Sequence, residues 1–461
     1  MDTVKIKSPV DGSIYAERPL ATDQQVNAAV ERARAAQIGW AETPIAERCR
    51  YALAFLDALV AMNDDIVVEL AWQMGRPVRY GGEKGGVIER TRYMVEIAEK
   101  ALAPVIASDP KPGFRRYVKR EALGVVMVIA PWNYPYLTAV NTIVPALIAG
   151  SAVILKHAAQ TLLVGERFAQ AFDKAGLPKG VFQNIVMNHA QTEKLLASGK
   201  IDHVNFTGSV AGGRAIEKAA AGTFMTLGLE LGGKDPAYVL PDAKMDHAVA
   251  NLVDGAFYNS GQCCCGIERI YVHEKVYDEF VDGFISLTKD YVVGSPLDQA
   301  TTIGPMAQAR FADFIREQKA EALRKGATAH INMKVDGDKE GSPYLAPEVL
   351  TDVDHQMSVM REESFGPIVG IMKVRNDEEA IALMNDSPYG LTASIWTRDT
   401  DHAAAIGDRV ETGTVFMNRC DYLDPALVWT GVKDTGKGAA LSAIGYENLT
   451  RPKSYHLREA I

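Results

Sequence analysis

The feature that most constrains this chain is a run without charge. Residues 122–155 hold no Asp, Glu, Lys or Arg over 34 positions, enough to cross a bilayer. Pro131, Pro135 and Pro145 interrupt the run, Gly124 and Gly150 stand near its ends, and Asn133 and Asn141 lie inside it. Lipid would leave the backbone groups freed at those breaks without partners. The run therefore reads as a buried strand (Val125–Ala130), a loop (Pro131–Tyr136), a helix (about Thr138–Ala149) and a second buried strand (Ala152–Lys156). Two strands apolar on both faces and joined by a helix form a βαβ unit, and such a unit needs cover on each side of its sheet.

The remainder extends that pattern. Strand candidates 125–130, 152–156, 182–186, 203–207 and 236–240 alternate with helices, as in a mostly parallel, doubly wound sheet. A second alternation follows, with helices at 245–259, 275–289, 308–325, 377–385 and 400–408 and strands at 268–273, 366–373, 391–396 and 413–417. Gly232, Gly233 and Pro241 mark the junction of the two lobes. The first hundred residues read as helices: Thr22 and Gln25 have capping-box spacing, and further helical runs cover about Ala46–Met62, ending near Asn63, and Tyr80–Leu102. RRYVKREALGVVMVIA alternates as strands do, and the tail YENLTRPKSYHLREAI reads as an extended arm.

With 461 residues, 47% apolar and 23% charged, the chain has the composition of a globular protein. A net charge of −9 without a long basic run argues against nucleic-acid binding. Five cysteines, three of them consecutive and none in a Cys-x-x-Cys pair, suggest neither a disulfide framework nor a resident metal. The N-terminal residues lack the apolar core of a signal peptide, so a cytoplasmic protein is expected.

Four segments carry residue types suited to chemistry. In FYNSGQCCCGIER (257–269), a thiol near backbone N–H groups at a helix end would be an activated nucleophile, and the residues alone leave Cys263, Cys264 and Cys265 all open. In LELGGKDP (229–236), Glu230 sits in an apolar run that would raise its pKa and suit it to act as a general base, unless a Lys or Arg pairs with it. In PWNYP (131–135), the Asn133 amide could donate to a developing oxyanion or close an Asx turn. In NFTGSVAGGR (205–214), Gly208 and Ser209 open a helix whose N-terminus favours phosphate, with Gly213 beyond; a plain strand-to-helix turn would look similar.

Taken together, these segments resemble the aldehyde dehydrogenase superfamily over essentially the whole chain. Its cysteine signature falls on Phe257, Asn259, Gly261, Gln262 and Cys264, which singles out Cys264 as nucleophile. Its glutamate signature runs from Leu229 to Lys234 and places the base at Glu230, and its Pro-Trp-Asn places the oxyanion donor at Asn133. EESFGP (362–367) looks like its Glu-x-Phe-Gly-Pro element, with Glu363 on the nicotinamide ribose and Phe365 beside the ring, and GTVFMN (413–418) resembles a further segment near the site. The resemblance implies a cofactor set of Lys156, Ser209, Gly208, Gly213, Trp132, Leu231, Glu363 and Phe365, NAD or NADP as cofactor, and oxidation of an aldehyde to a free acid through a thioester on Cys264.

It also implies an α/β fold of two doubly wound Rossmann-like lobes plus a small β oligomerisation element. The expected units are a cofactor-binding domain (1–104 and 123–232), a catalytic domain (233–445) and an oligomerisation element (105–122 and 446–461) that builds homodimers or homotetramers. Three features depart from the family, the third being Cys263 and Cys265 on either side of the nucleophile. Lys156-His157-Ala158-Ala159 replaces Lys-Pro-Ser-Glu, which removes a carboxylate that would repel a 2′-phosphate and weakens discrimination against NADP. Gly438-Ala439-Ala440-Leu441 replaces Gly-Arg-Glu-Leu, so hydrolysis leans harder on Glu230. Cys263 and Cys265 are either small pocket-wall residues or partners for reversible disulfides with Cys264. A pocket near Tyr134, Leu137, Asn141, Cys263, Cys265, Tyr422 and Trp429, without an Arg cluster, favours neutral or amino-bearing aldehydes. The competing readings are a CoA-acylating dehydrogenase, a cysteine hydrolase, which would need a histidine beside the thiol, and a non-catalytic relative.

Overall fold

The computed structural model describes residues 2–459. The charge-free run folds into two parallel strands, Val125–Ala130 and Ala152–His157, paired from Val125↔Ala152 to Ala130↔His157 and buried at every position. Each aliphatic side chain so placed contributes about 2 kcal/mol of burial. The helix between them spans Pro135–Ile148 and begins three residues earlier than the sequence suggests, because Pro135 occupies the first turn, where a missing N–H costs nothing. Among the described residues, no helix is long and apolar enough to cross a membrane.

These strands centre a six-stranded sheet in the order Gly436–Lys437, Thr226–Glu230, His203–Thr207, Val125–Ala130, Ala152–His157 and Phe182–Asn184, parallel except for the first. A seven-stranded sheet runs Thr328–Ala329, Glu348–Thr351, Ile368–Val374, Ile267–His273, Asp235–Val239, Thr392–Trp396 and Thr414–Met417. A third, antiparallel sheet places Phe114–Ala122 between Thr450–Arg458 and Val105–Ile106. The architecture is thus α/β, two doubly wound lobes with a small β element. Residues 1, 460 and 461, at the ends of the expected 1–104 and 446–461 segments, lie outside the described residues.

Several elements differ from the sequence reading, which lacks the strands Thr328–Ala329, Glu348–Thr351 and Gly436–Lys437. The first hundred residues are not all helical: Thr3–Lys7 and Ile14–Pro19 form a hairpin across a turn that includes Gly12 at φ 77°. The helix Ile45–Val60 does end near Asn63 as expected, but an unexpected helix, Asn63–Met74, follows at once and ends at Gly75 in the left-handed conformation. The tail is not wholly extended, since Ser442–Asn448 is a helix ahead of the strand Thr450–Arg458. The fifth strand of the first lobe is Thr226–Glu230, and Asp235–Val239 belongs to the other sheet. The chain changes sheets within Leu231–Lys234. A side chain at Gly232 would meet Glu363 Oε2 at 2.3 Å, and one at Gly233 would meet the Cys264 carbonyl at 2.4 Å. Only glycine lets the lobes close this tightly.

Candidate active site

The carboxyl ends of the first sheet face residues that precede strands of the second. Glu230 ends the strand Thr226–Glu230, Asn133 follows Val125–Ala130, and the cysteine triplet precedes Ile267–His273. The second lobe therefore presents the amino ends of its strands, a departure from the usual carboxyl-end rule.

A cavity of about 370 Å³ lies at this junction, lined by Cys263, Cys264, Cys265, Glu230 and Leu231 and by all the other residues expected of a pocket, Tyr134, Leu137, Asn141, Tyr422 and Trp429. The helix Met245–Phe257 gives way to Asn259, Ser260 and Gly261, three successive residues at φ 55°, 58° and 69°. This left-handed stretch turns the chain sharply, and Gln262 locks it: its amide donates to the Asn259 carbonyl at 3.2 Å and its Oε1 accepts the Ala307 N–H at 2.8 Å. Cys263 and Cys265 are buried, whereas Cys264 is half-buried and reaches the cavity. The flanking thiols and then the Cys264 and Cys265 backbone N–H groups hold the Cys264 thiol well below the usual thiol range.

Glu230 keeps part of its surface in the cavity and accepts from Thr207 Oγ1 at 3.1 Å. Burial raises its carboxyl to about 7; it makes no ion pair among the described residues, so the paired-glutamate alternative does not hold. Asn133 is buried behind the triplet, and its amide donates to the Gln262 carbonyl at 3.3 Å. Its own carbonyl accepts from Arg76 Nη2 at 2.5 Å and from Asn259 Nδ2 at 3.2 Å.

The expected cofactor residues fall along the carboxyl edge of the first sheet and on one loop of the second lobe. Lys156, on the strand Ala152–His157, is buried, makes no ion pair among the described residues and is pushed down by desolvation. Gly208 and Ser209 precede the helix Val210–Ala220, and Ser209 caps it through the Gly212 N–H at 3.2 Å. Gly213 packs on Leu231, where a side chain would approach within 2.6 Å. Trp132 stands edge-on to Phe365, centroids 5.6 Å apart. Glu363 accepts the Gly233 N–H at 2.9 Å, and burial, aided by the charge of Glu268, raises it to about 8. A buried lysine without a counter-charge, a helix N-terminus and two aromatic rings set edge-to-face fit a dinucleotide with a phosphate and a flat ring. Lys156, Ser209 and Gly213 stand apart from the substrate cavity, whereas Leu231 lines it.

Sequence reasoning missed several supporting residues. Arg76 and Glu83, each 3% exposed at the side chain, pair at 2.6 Å. Arg76 also bonds Asn133 and Asn259, while Glu83 Oε2 accepts the N–H groups of Tyr136 and Leu137 at 3.0 and 2.7 Å, so one ion pair fixes both the oxyanion loop and the following helix. Lys234 binds Glu268 at 2.5 Å, and Glu268 accepts the Ser364 and Phe365 N–H groups, tying the glutamate segment to the Glu363 loop. Arg90 lines the cavity and bonds the Leu137 carbonyl and Asn141 Oδ1, a single arginine rather than a cluster. Asp421 accepts from Cys263 Sγ at 3.1 Å and Cys265 Sγ at 3.0 Å. Apart from Lys234, which ends the glutamate segment, no local pattern marks these residues, because each partner lies far away in sequence or on a loop. No histidine lines the cavity; His157 and His203 are buried elsewhere, which removes the base a cysteine hydrolase needs.

The model of the aldehyde dehydrogenase family matches residues 1–455. An aldehyde dehydrogenase of Paenarthrobacter nicotinovorans is 36% identical, covering 94% of this chain and 95% of the relative. An NADP(+) succinate-semialdehyde dehydrogenase of Mycobacterium avium is 33% identical, covering 97% and 95%. The crystal structure of an NADP-dependent glyceraldehyde-3-phosphate dehydrogenase from Bacillus halodurans, complexed with NADP, superposes with a TM-score of 0.92 at 33% identity, covering 100% of this chain and 96% of that one.

Proposed function

The chain belongs to the aldehyde dehydrogenase family, and from that premise we propose that it oxidises an aldehyde to the free carboxylic acid with NAD or NADP, Cys264 carrying the acyl group. The observation that carries the reading is the meeting of Cys264 and Glu230 on one cavity, with Asn133 bonded to the same turn. The Cys264 thiolate attacks the carbonyl carbon. The backbone N–H of Cys264 and the amide of Asn133, once released from the Gln262 carbonyl, donate to the oxygen as charge grows on it. When bound, the nicotinamide supplies the hydride acceptor that the protein lacks. Lys156, Ser209 and Glu363 would hold the cofactor, with Trp132, Leu231 and Phe365 bordering it and Gly208 and Gly213 allowing its close approach. Glu230, poised near neutral pH, takes a proton from water, and the resulting hydroxide releases the acid from the Cys264 thioester.

A base placed to activate water favours hydrolysis over transfer to CoA. Ala159, exposed where a carboxylate would repel a 2′-phosphate, and the unpaired Lys156 both support use of NADP, as in the NADP-named relatives. Glu89, Asp254 and Asp421 outnumber Arg90 on the cavity wall and favour neutral or amino-bearing aldehydes. The 105–122 and 446–461 segments carry a candidate oligomerisation sheet, exposing Val105 and Ile106 at its edge, for a homodimer or homotetramer; the protein is proposed to work in the cytoplasm. The test follows reduced nicotinamide across an aldehyde panel with and without CoA. Turnover without CoA is expected, and an absolute need for CoA would overturn the free-acid reading.

A further inference from the structure

The active-site turn holds more thiols than the reaction uses. Consecutive side chains diverge on a strand or a helix, yet Cys263 to Gly266 forms a turn, closed by the Gly266 N–H on the Cys263 carbonyl at 3.2 Å, and it gathers three sulfurs on one side. All three Sγ atoms lie within 4.8 Å of one another, Cys263 and Cys265 being 3.5 Å apart. Asp421 brings a carboxylate oxygen to 3.1 and 3.0 Å from Cys263 and Cys265. Among the described residues the three cysteines, without Asp421, are the one group of three or more His, Cys, Asp or Glu with ligand atoms gathered in this way.

The geometry points to a site for one soft divalent cation, Zn²⁺ or Cd²⁺, held by Cys263, Cys264 and Cys265 with water as the fourth ligand beside Asp421, whose occupation reversibly withdraws the Cys264 sulfur from catalysis. A tetrahedral zinc with bonds of about 2.3 Å to sulfur needs sulfurs about 3.8 Å apart, and the gathered sulfurs span that separation. Three thiolates form a ligand set suited to such ions and unsuited to Mg²⁺ or Ca²⁺. The cavity reaches Cys264 and Asp421, so an ion has a route in. On binding, three metal–sulfur bonds and one bond to water form, and each protonated thiol gives its proton to water; no electron is transferred and no oxidant is needed. The ligand set stands on geometry alone, whereas its inhibitory consequence rests on Cys264 being the nucleophile.

The test titrates the reduced full-length chain with Cd²⁺, reading thiolate-to-metal charge-transfer absorbance, with Zn²⁺ as competitor. One equivalent is expected, displaced by Zn²⁺. The double change Cys263→Ser with Cys265→Ser should weaken binding by more than about a hundredfold, and Asp421→Asn should weaken it less. Cys49→Ser and Cys420→Ser should leave the equivalent intact. On the unmodified chain, bound Zn²⁺ should shield Cys264 from iodoacetamide, a readout that does not depend on the variants folding. Zinc should also abolish aldehyde oxidation, with recovery on adding EDTA alone. Tight binding that survives the double change, unaltered alkylation of Cys264, or recovery that requires a thiol reductant would each overturn the site. Stoichiometric binding and shielding with turnover untouched would leave the site standing and refute Cys264 as the nucleophile.

Discussion

Placing a general base in an apolar wall has a cost that can be measured as stability. Burial raises the Glu230 carboxyl from 4.5 to about 7. At about 1.4 kcal/mol per pH unit, holding it ionised costs the folded chain up to about 3 kcal/mol. The sign follows from linkage: with the folded value above the unfolded one, the penalty is absent below pH 4.5, grows between 4.5 and about 7, and is constant above. Glu230→Gln keeps an oxygen to accept from Thr207 Oγ1 and cannot ionise. The variant should therefore exceed the parent in stability by less than about 1 kcal/mol at pH 5 and by between about 1 and 3 kcal/mol at pH 8, the lower figure applying where cavity water solvates the carboxylate and the pH 5 difference shrinking in proportion. Urea denaturation of cofactor-free protein at pH 5, 6.5 and 8 reads this directly. The same variant should keep its first burst of reduced nicotinamide and lose about 10² to 10⁴ in steady-state rate. A variant no more stable relative to the parent at pH 8 than at pH 5 would refute the claim that burial, rather than pairing, sets this carboxyl.

In the unmodified protein, steady-state turnover limited by thioester hydrolysis should rise with pH through about 7 and then level off, as required of a base that works only when ionised; a flat profile between pH 6 and 8 counts against it. Cys264→Ala should abolish turnover, and mass spectrometry of the parent quenched mid-reaction should find an acyl adduct at Cys264 and nowhere else. Arg76→Ala leaves Glu83 charged and buried without its partner, so the variant should lose about 3–5 kcal/mol in denaturation. The ratio of kcat/KM for NAD over NADP should stay below about a hundredfold, and Ala159→Glu should raise it by about tenfold or more through repulsion of the 2′-phosphate.

What could be read from the sequence and what could not divide along one physical line. Val125–Ala130 matches its expected limits because a strand buried on both faces of a sheet leaves an apolar trace in its own residues, and His203–Thr207 does so through the alternation of Val204 and Phe206 with polar residues. The capping box of Thr22 and Gln25 is present for the same reason, both hydrogen bonds being local. Thr226–Glu230 was missed because its first residues are exposed or half-exposed and Gly228 interrupts it; that glycine is needed because a side chain there would meet Asn205 Oδ1 at 2.2 Å. The Leu-Glu-Leu-Gly-Gly-Lys segment suggested a base at Glu230, but its two glycines have their reason only in three dimensions, where Glu363 and the Cys264 carbonyl close over them. Arg76, Glu83 and Asp421 show the limit most sharply. A buried ion pair or carboxylate is tolerated only where distant backbone and thiol groups converge on it, and a single charged residue in a sequence carries no mark of those partners. Supporting residues such as these decide how accurately Asn133 and Cys264 are held, so the chemistry of this site is easier to read from sequence than the precision with which it is set.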